Sequence, residues 1–256
     1  MKRIILCLTA LAMMLGHVYQ TEAIPITSGL AGYWPGNDDT ADDQSGNNND
    51  GTLNNGATFA AGVVGKGFSF DGVDDFISVP TDPSLNLTST LTIAGWVNYN
   101  DPSLPILSKR DTSNRGYQLA ISGNGKLLAT AFGFFDHFSS ITILTGSFVH
   151  VAWTYDRFQG QSKLYINGTL DTTLSRSDSI ATTSFPLLIG AVELIGGGKN
   201  LGGGGLVDEA AIYNRALVGS EIQTLASVPE PSALILFLMG LLSVSGYGYW
   251  RRKKKA

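Results

Sequence analysis

The segment Asp42-Asp43-Gln44-Ser45-Gly46-Asn47-Asn48-Asn49-Asp50 crowds carboxylates and amides around one glycine. Calcium takes about six to eight oxygen ligands from such groups, so this is the strongest candidate metal loop in the sequence. It is not an EF-hand, because its glycine and a closing Glu do not fall at the required positions. A plain solvated turn, in which Asp and Asn bond their own backbone, is the competing reading. A second acidic run, Asp71-Gly72-Val73-Asp74-Asp75, reads as turn geometry, since Asp-Gly is a turn dipeptide.

Aromatic residues offer a different chemistry. Phe132, Phe134, Phe135, His137 and Phe138 gather around Asp136, in a stretch too irregular to read as a clean strand. Sugar recognition combines exposed aromatic faces with a few placed polar groups. Phe134, Phe135, His137 and Phe138 are therefore the first candidates for a glycan-binding edge, with Tyr33 and Trp34 second. The same phenylalanines would also plug the end of a core, where most apolar aromatics belong.

Hydrolytic chemistry finds less support. Retaining glycosidases need two carboxylates about 5–5.5 Å apart. Between Ile24 and Val228 the glutamates are Glu193, Glu209 and Glu221, and none has a carboxylate two positions away. Asp208 and Glu209 are strand neighbours, expected on opposite faces. His137 and His150 do not make a zinc set. Cys7, the single cysteine, sits in the N-terminal segment and leaves neither a thiol nucleophile nor a disulfide. No catalytic residue is expected.

The elements that must position these groups are short strands. Phe68–Phe70, Phe76–Val79, Leu91–Val97, Tyr117–Ile121, Val149–Tyr155, Lys163–Ile166, Leu187–Ile189 and Gly205–Tyr213 are alternating or apolar runs, separated by Gly, Asn, Asp, Pro and Ser. That pattern predicts an all-β sandwich. Asn167-Gly168 supplies the two positive φ values of a tight hairpin. One helix is expected from Ser220 to Ala226, capped at Gly219 or Ser220 and packed over one end of the sandwich, with Arg215 tying it to the last strand. Trp96 and Trp153 fall at inward positions. Gly196–Gly198 and Gly202–Gly205 read as a flexible loop without the Lys-Ser/Thr of a phosphate loop.

Five blocks in order carry a family resemblance: Gly67–Ile77, Leu91–Val97, His150–Asp156, Leu164–Gly168 and Val207–Leu217. Together they resemble the LamG-like jelly-roll domain of the concanavalin A-like group. The resemblance implies a two-sheet antiparallel jelly roll, often with bound calcium, in modules that bind glycans or proteins. It also brings the acidic loop near the last strand, so the implied calcium set is Asp43, Asn47 and Asp208. Fold alone does not choose among these activities.

The two ends differ from the rest. Met1-Lys2-Arg3, an apolar run from Ile4 to Gly16 and Thr21-Glu22-Ala23 have the layout of a signal peptide cut after Ala23. Residues 24–227 are then the jelly-roll domain and 228–256 the tail. Uncharged Ala233–Trp250 would span about 27 Å as a helix, near the lower limit for crossing a bilayer. Arg251, Arg252, Lys253, Lys254 and Lys255 would hold its end in the cytoplasm. With Pro229-Glu230-Pro231 before it, this tail resembles the PEP-CTERM sorting signal, which implies an exosortase-type enzyme as partner. Between the ends stand ten Lys and Arg against nineteen Asp and Glu, a balance that excludes nucleic acid as a partner. The expectation is an exported, at least transiently membrane-anchored module of the cell envelope or extracellular matrix. It would bind an extracellular polysaccharide or a surface protein, with calcium assisting. A structural or protein-interaction matrix protein without a sugar site is the alternative.

Overall fold

The computed structural model describes residues 26–100, 103–144 and 146–227. The expected signal segment, Pro229-Glu230-Pro231, the apolar stretch 233–250 and the basic tail lie outside those residues. Among the described residues, no helix is long and apolar enough to cross a membrane.

Two antiparallel sheets form the sandwich. In the eight-stranded sheet β13 (Thr169–Ser175) is followed by β12 (Gln161–Ile166), β11 (Val149–Asp156) and β6 (Thr90–Tyr99). Next come β17 (Gly205–Tyr213), β4 (Lys66–Phe70) and β3 (Thr58–Ala61), and β1 (Leu30–Trp34) also pairs with β17. The seven-stranded sheet begins with β10 (Phe135–Thr142), β9 (Lys126–Ala131), β8 (Gly116–Ile121) and β7 (Leu104–Arg110). It ends with β14 (Leu187–Ile189), β5 (Phe76–Val79) and β2 (Thr52–Asn54). A small hairpin joins β15 (Val192–Glu193) to β16 (Lys199–Asn200), so the glycine-rich stretch expected to be all loop contributes a strand.

Strict alternation sorts the side chains. Along β6, Leu91, Ile93, Val97 and Tyr99 enter the core between the sheets, while Ala94 and Trp96 face outward. Trp153 and Tyr155 of β11 and Leu164 of β12 fill the same core. The turn between β12 and β13 has Asn167 at φ 48° and Gly168 at φ 76°, the geometry its dipeptide predicts.

Several strands escaped the sequence pattern. Strand β7 contains Pro105, which is tolerated because the register shifts between Pro105 and Leu107. The stretch too irregular to read as a clean strand forms β10, whose register against β9 shifts between Phe138 and Thr142. Its inward positions include His137 and Ser139 and its outward ones Phe138, which inverts the usual apolar–polar pattern.

His137 has a structural role at that inward position. Its Nδ1 lies 2.8 Å from Ser162 Oγ, which also accepts the indole N–H of Trp153 at 2.9 Å. Trp153 can only donate, so the Ser162 proton is free for a neutral His137. The chain of bonds ties the edge of the smaller sheet to β11 and β12 of the larger one.

The outer face of the larger sheet is also covered. Helix α1 (Gly219–Leu225) lies on it, with buried Ile222 and Leu217 packed against Tyr33, Ala94, Ala152, Tyr165, Ala211 and Tyr213. The expected placement over one end of the sandwich is therefore corrected. Small Ala94, Ala152 and Ala211 let the helix approach the sheet. Its cap residue is Val218, whose N–H donates to Glu221 Oε2 at 2.9 Å. Arg215 then grips the Glu221 carboxylate with both terminal nitrogens, at 2.8 and 2.7 Å.

Two outcomes follow. Ile222→Ala is expected to cost about 2–5 kcal/mol in urea denaturation by opening a cavity under the helix. Burial pushes His137 down to about 4 and His150 down to about 3, below the ~6.5 of an unfolded imidazole. The unfolded chain therefore takes up protons first, and this stabilisation, complete above about pH 6.5, is lost as pH falls toward 4. His137→Gln should lower the urea midpoint at neutral pH, and its gap to wild type should narrow by about pH 5.

Candidate functional site

The hairpin turn between β9 and β10 builds one wall of a cavity of about 520 Å³. Phe134 N–H donates to Ala131 O at 3.0 Å, and Gly133 takes the left-handed conformation at φ 82°. That turn sends Phe132 inward and leaves Phe134 47% exposed at the rim. The opposite wall is Arg110, from the end of β7, with Asn114 from the loop that follows.

Arg110 is held on several sides. Its Nη2 donates to Asn114 Oδ1 at 2.8 Å and its Nη1 to Glu193 O at 3.1 Å, while the guanidinium lies 4.3 Å from the Phe132 ring centroid. Burial lowers its basicity, and the carboxylates of Asp111, Asp136 and Glu193 oppose that. Asp136 is exposed at the end of β10, and one of its oxygens accepts the Thr130 hydroxyl at 2.8 Å. The cavity therefore presents an aromatic plate, a fixed cation with its amide neighbour and one carboxylate. Such a set can hold a polyol by hydrogen bonds and cover its C–H face.

The glycan candidates divide. Phe134 and Phe138 are exposed, but Phe135 and His137 are only 6% and 5% exposed. Phe135 packs in the core, its ring 5.6 Å from that of Tyr155. Strand alternation forces the split, since neighbouring residues point to opposite faces. Tyr33 and Trp34 are buried as well. The Trp34 indole donates to Asn49 O at 2.9 Å, and the Tyr33 hydroxyl donates to Glu209.

The metal set Asp43, Asn47 and Asp208 does not share one environment. Asp43 Oδ1 accepts the N–H groups of Tyr33 and Ser45, and its Oδ2 accepts the Ser45 hydroxyl and Asn49 N–H, all at 2.8–2.9 Å. Asn47 donates its amide to the Leu30 and Ala31 carbonyls. Asp208 is fully buried, and its Oδ2 accepts Val63 and Val64 N–H at 2.7 and 3.1 Å. Burial pushes Asp208 up to about 6, against the pull of those amides. Asp43 and Asp208 thus share no hydrogen-bond partner, and both Asp43 oxygens face N–H or O–H donors while Asp208 Oδ1 is buried without one.

Asp208 and Glu209 depart from expectation too. The register of β17 against β6 slips between Asp208 and Ala211, and Glu209 has φ 54°. This bulge interrupts the alternation, so the outward-facing Asp208 is followed by a Glu209 that also reaches the outer-face residue Tyr33.

Arg110, Asn114 and Thr130 were not among the sequence candidates. Their signal was faint: Arg110 ends a strand interrupted by proline, and Asn114 belongs to an Asp-Thr-Ser-Asn turn. Only the pairing of β7, β8 and β9 brings them to Phe134.

The fold has solved counterparts. The binding domain of Paraclostridial Mosquitocidal Protein 1 superposes with a TM-score of 0.65 at 21% identity, over 78% of this chain and 52% of that one. Domain 4 of AbnA, a GH43 extracellular arabinanase from Geobacillus stearothermophilus solved with arabinotriose, gives 0.63 at 22% identity, over 77% and 98%. The ligand-binding domain of botulinum neurotoxin serotype D, solved with N-acetylneuraminic acid, gives 0.61 at 14%, over 78% and 51%. The chain spans about half the length of the two toxin domains. At these identities the likeness is one of fold. No curated protein matches the chain closely enough to count as a relative. The family model of the concanavalin A-like lectin/glucanases superfamily matches residues 71–223, more than half of the sequence, and the chain belongs to that superfamily.

Proposed function

We propose that this chain is an exported carbohydrate-binding module that seats a neutral saccharide in the cavity between Arg110 and Phe134. The observation that carries the reading is an exposed aromatic ring beside a fixed set of polar groups in one cavity. A second cavity of about 470 Å³, around Asp82, Asn86 and Arg115, is polar but has no aromatic residue in its lining. The related folds solved with arabinotriose and N-acetylneuraminic acid support a sugar as the class of ligand.

Charge selects among sugars. Arg110 is surrounded by the fields of Asp111, Asp136 and Glu193, and the domain carries nineteen acidic residues against ten basic ones. An anionic sugar would meet net repulsion. A neutral polysaccharide outside the cell is the better partner. The tail from Pro229 onward supports display at the envelope after sorting by an exosortase-type enzyme, with the basic end cytoplasmic. Binding is favoured over hydrolysis because Asp136 is the one carboxylate among the residues lining the cavity, and hydrolysis needs two.

A glycan array followed by calorimetry on the full-length chain tests the reading. Binding to a neutral oligosaccharide is expected, weakened about tenfold or more by Phe134→Ala or Asp136→Asn, with each melting temperature within about 2 °C of wild type. Binding that both variants leave intact would place the sugar elsewhere. A blank array from folded protein would favour a structural or protein-binding role.

A further inference from the structure

The turn Asp71–Asp75 connects β4 of the larger sheet to β5 of the smaller one. Within it, Asp71, Asp74 and Asp75 each place an oxygen within 4.8 Å of the others'. Three carboxylates this close repel one another unless a cation lies between them. None of them pairs with Lys, Arg or His among the described residues. The ion pairs there join Lys66 to Asp39, Arg115 to Asp111, Lys199 to Glu193 and Arg215 to Glu221. Lys199, the basic group over the neighbouring Phe76 ring, is thus engaged elsewhere.

Asp75 supplies an independent observation. It is only 4% exposed, and its Oδ1 is buried without any hydrogen-bond partner. Its Oδ2 accepts the Asp71 N–H at 3.0 Å, which fixes the side chain and leaves Oδ1 the orphan. A buried carboxylate oxygen without a donor is costly, and a metal ion satisfies it as a proton donor would. The contrast with Asp43 is direct, since every oxygen there already faces N–H or O–H groups.

We infer that Asp71, Asp74 and Asp75 form a divalent-cation site of calcium's size. Oxygens that share one calcium at about 2.4 Å can stand at most about 4.8 Å apart, which the three carboxylates satisfy. The ion would also fasten two crossings between the sheets. The turn between β2 and β3 reaches the same place, where Asn55 Nδ2 donates to Asp74 O at 3.0 Å. A Cβ added at Gly56 would lie 3.1 Å from Asp75 Oδ1, so the turn between β2 and β3 runs beside that oxygen. The role is structural and does not depend on the sugar cavity.

Thermal unfolding and calorimetry of the full-length chain, stripped with chelator and then titrated with calcium chloride, test the site. Calcium at about 100 times its dissociation constant should raise the folding equilibrium about 100-fold, seen as an increased melting temperature. The combined substitution Asp71→Asn and Asp74→Asn, both at exposed positions, should fold and lose the calcium-dependent increase. Asp43→Asn should keep it, whatever its own stability. Magnesium at equal concentration should give a smaller increase, because it demands a stricter octahedron. The inference is overturned if calcium leaves the melt and the calorimeter trace unchanged, or if the increase survives in the Asp71 and Asp74 variant. It is equally overturned if Asp43→Asn alone abolishes the increase, or if magnesium matches calcium.

Discussion

Burial of both faces of the larger sheet is the constraint under which this domain is assembled. No disulfide braces it, because the one cysteine is Cys7. The inner face meets the smaller sheet through a core that includes Trp34, Phe68, Trp153 and Tyr155. The outer face would expose Tyr33, Tyr165 and Tyr213 if Leu217 and Ile222 did not cover them. Strand β17 stands at the centre of this arrangement. It pairs with β6 along its length and, on its other edge, with β4 near Gly205 and with β1 near Tyr213. One edge can serve two partners because the bulge at Glu209 bends the strand between them.

Covering the larger sheet in this way leaves the rim of the smaller sheet open to solvent, where the proposed sugar cavity lies. The helix and the cavity near Phe134 are supported by different sheets, with the core between them. The cavity's residues come from strand ends and tight turns, so their positions are set by hydrogen-bonded backbone and not by a long loop. Gly133 and Asn114, at φ 82° and 62°, give the two walls their shape. Groups held this way would lose little freedom on meeting a ligand, which is what the proposed sugar site requires.

Polar groups inside the sandwich are stabilised in two distinct ways, and Asp75 stands apart from both. Asp43 accepts donors at both oxygens, and Asp208 accepts two backbone N–H groups at Oδ2, which offset part of the desolvation although its Oδ1 has no donor. His137 stays neutral and shares a hydroxyl with Trp153. Asp75 has no donor for its Oδ1, and the Asp71 and Asp74 carboxylates lie close to its own. The two acidic loops differ in the donors that surround their carboxylates. Counting aspartates points to residues 42–50, whereas the cation proposed for residues 71–75 rests on a carboxylate oxygen without a donor beside two further carboxylates.

Much of the fold was legible because strand alternation is a local property. Leu91–Val97, Val149–Tyr155 and the Asn167-Gly168 turn carry their conformations in neighbouring residues, and the ordered family blocks identified the sandwich. Strand β10 was not legible, since an inward His137 is satisfied only by Ser162, 25 positions away. The site was half legible: Phe134, Phe138 and Asp136 stood out as a cluster, but nothing local separates outward Phe134 from inward Phe135 until the turn at Gly133 sets the phase. Arg110 joins them through strand pairing alone. The sequence by itself determined the alternating central strands, the Asn167-Gly168 turn and the acidic, cysteine-free character of the domain, because propensity, periodicity and charge act between near neighbours. Tertiary structure alone decided which aromatic rings reach solvent and which carboxylates are left without donors, because burial and hydrogen-bond partners are set by residues far apart in the chain.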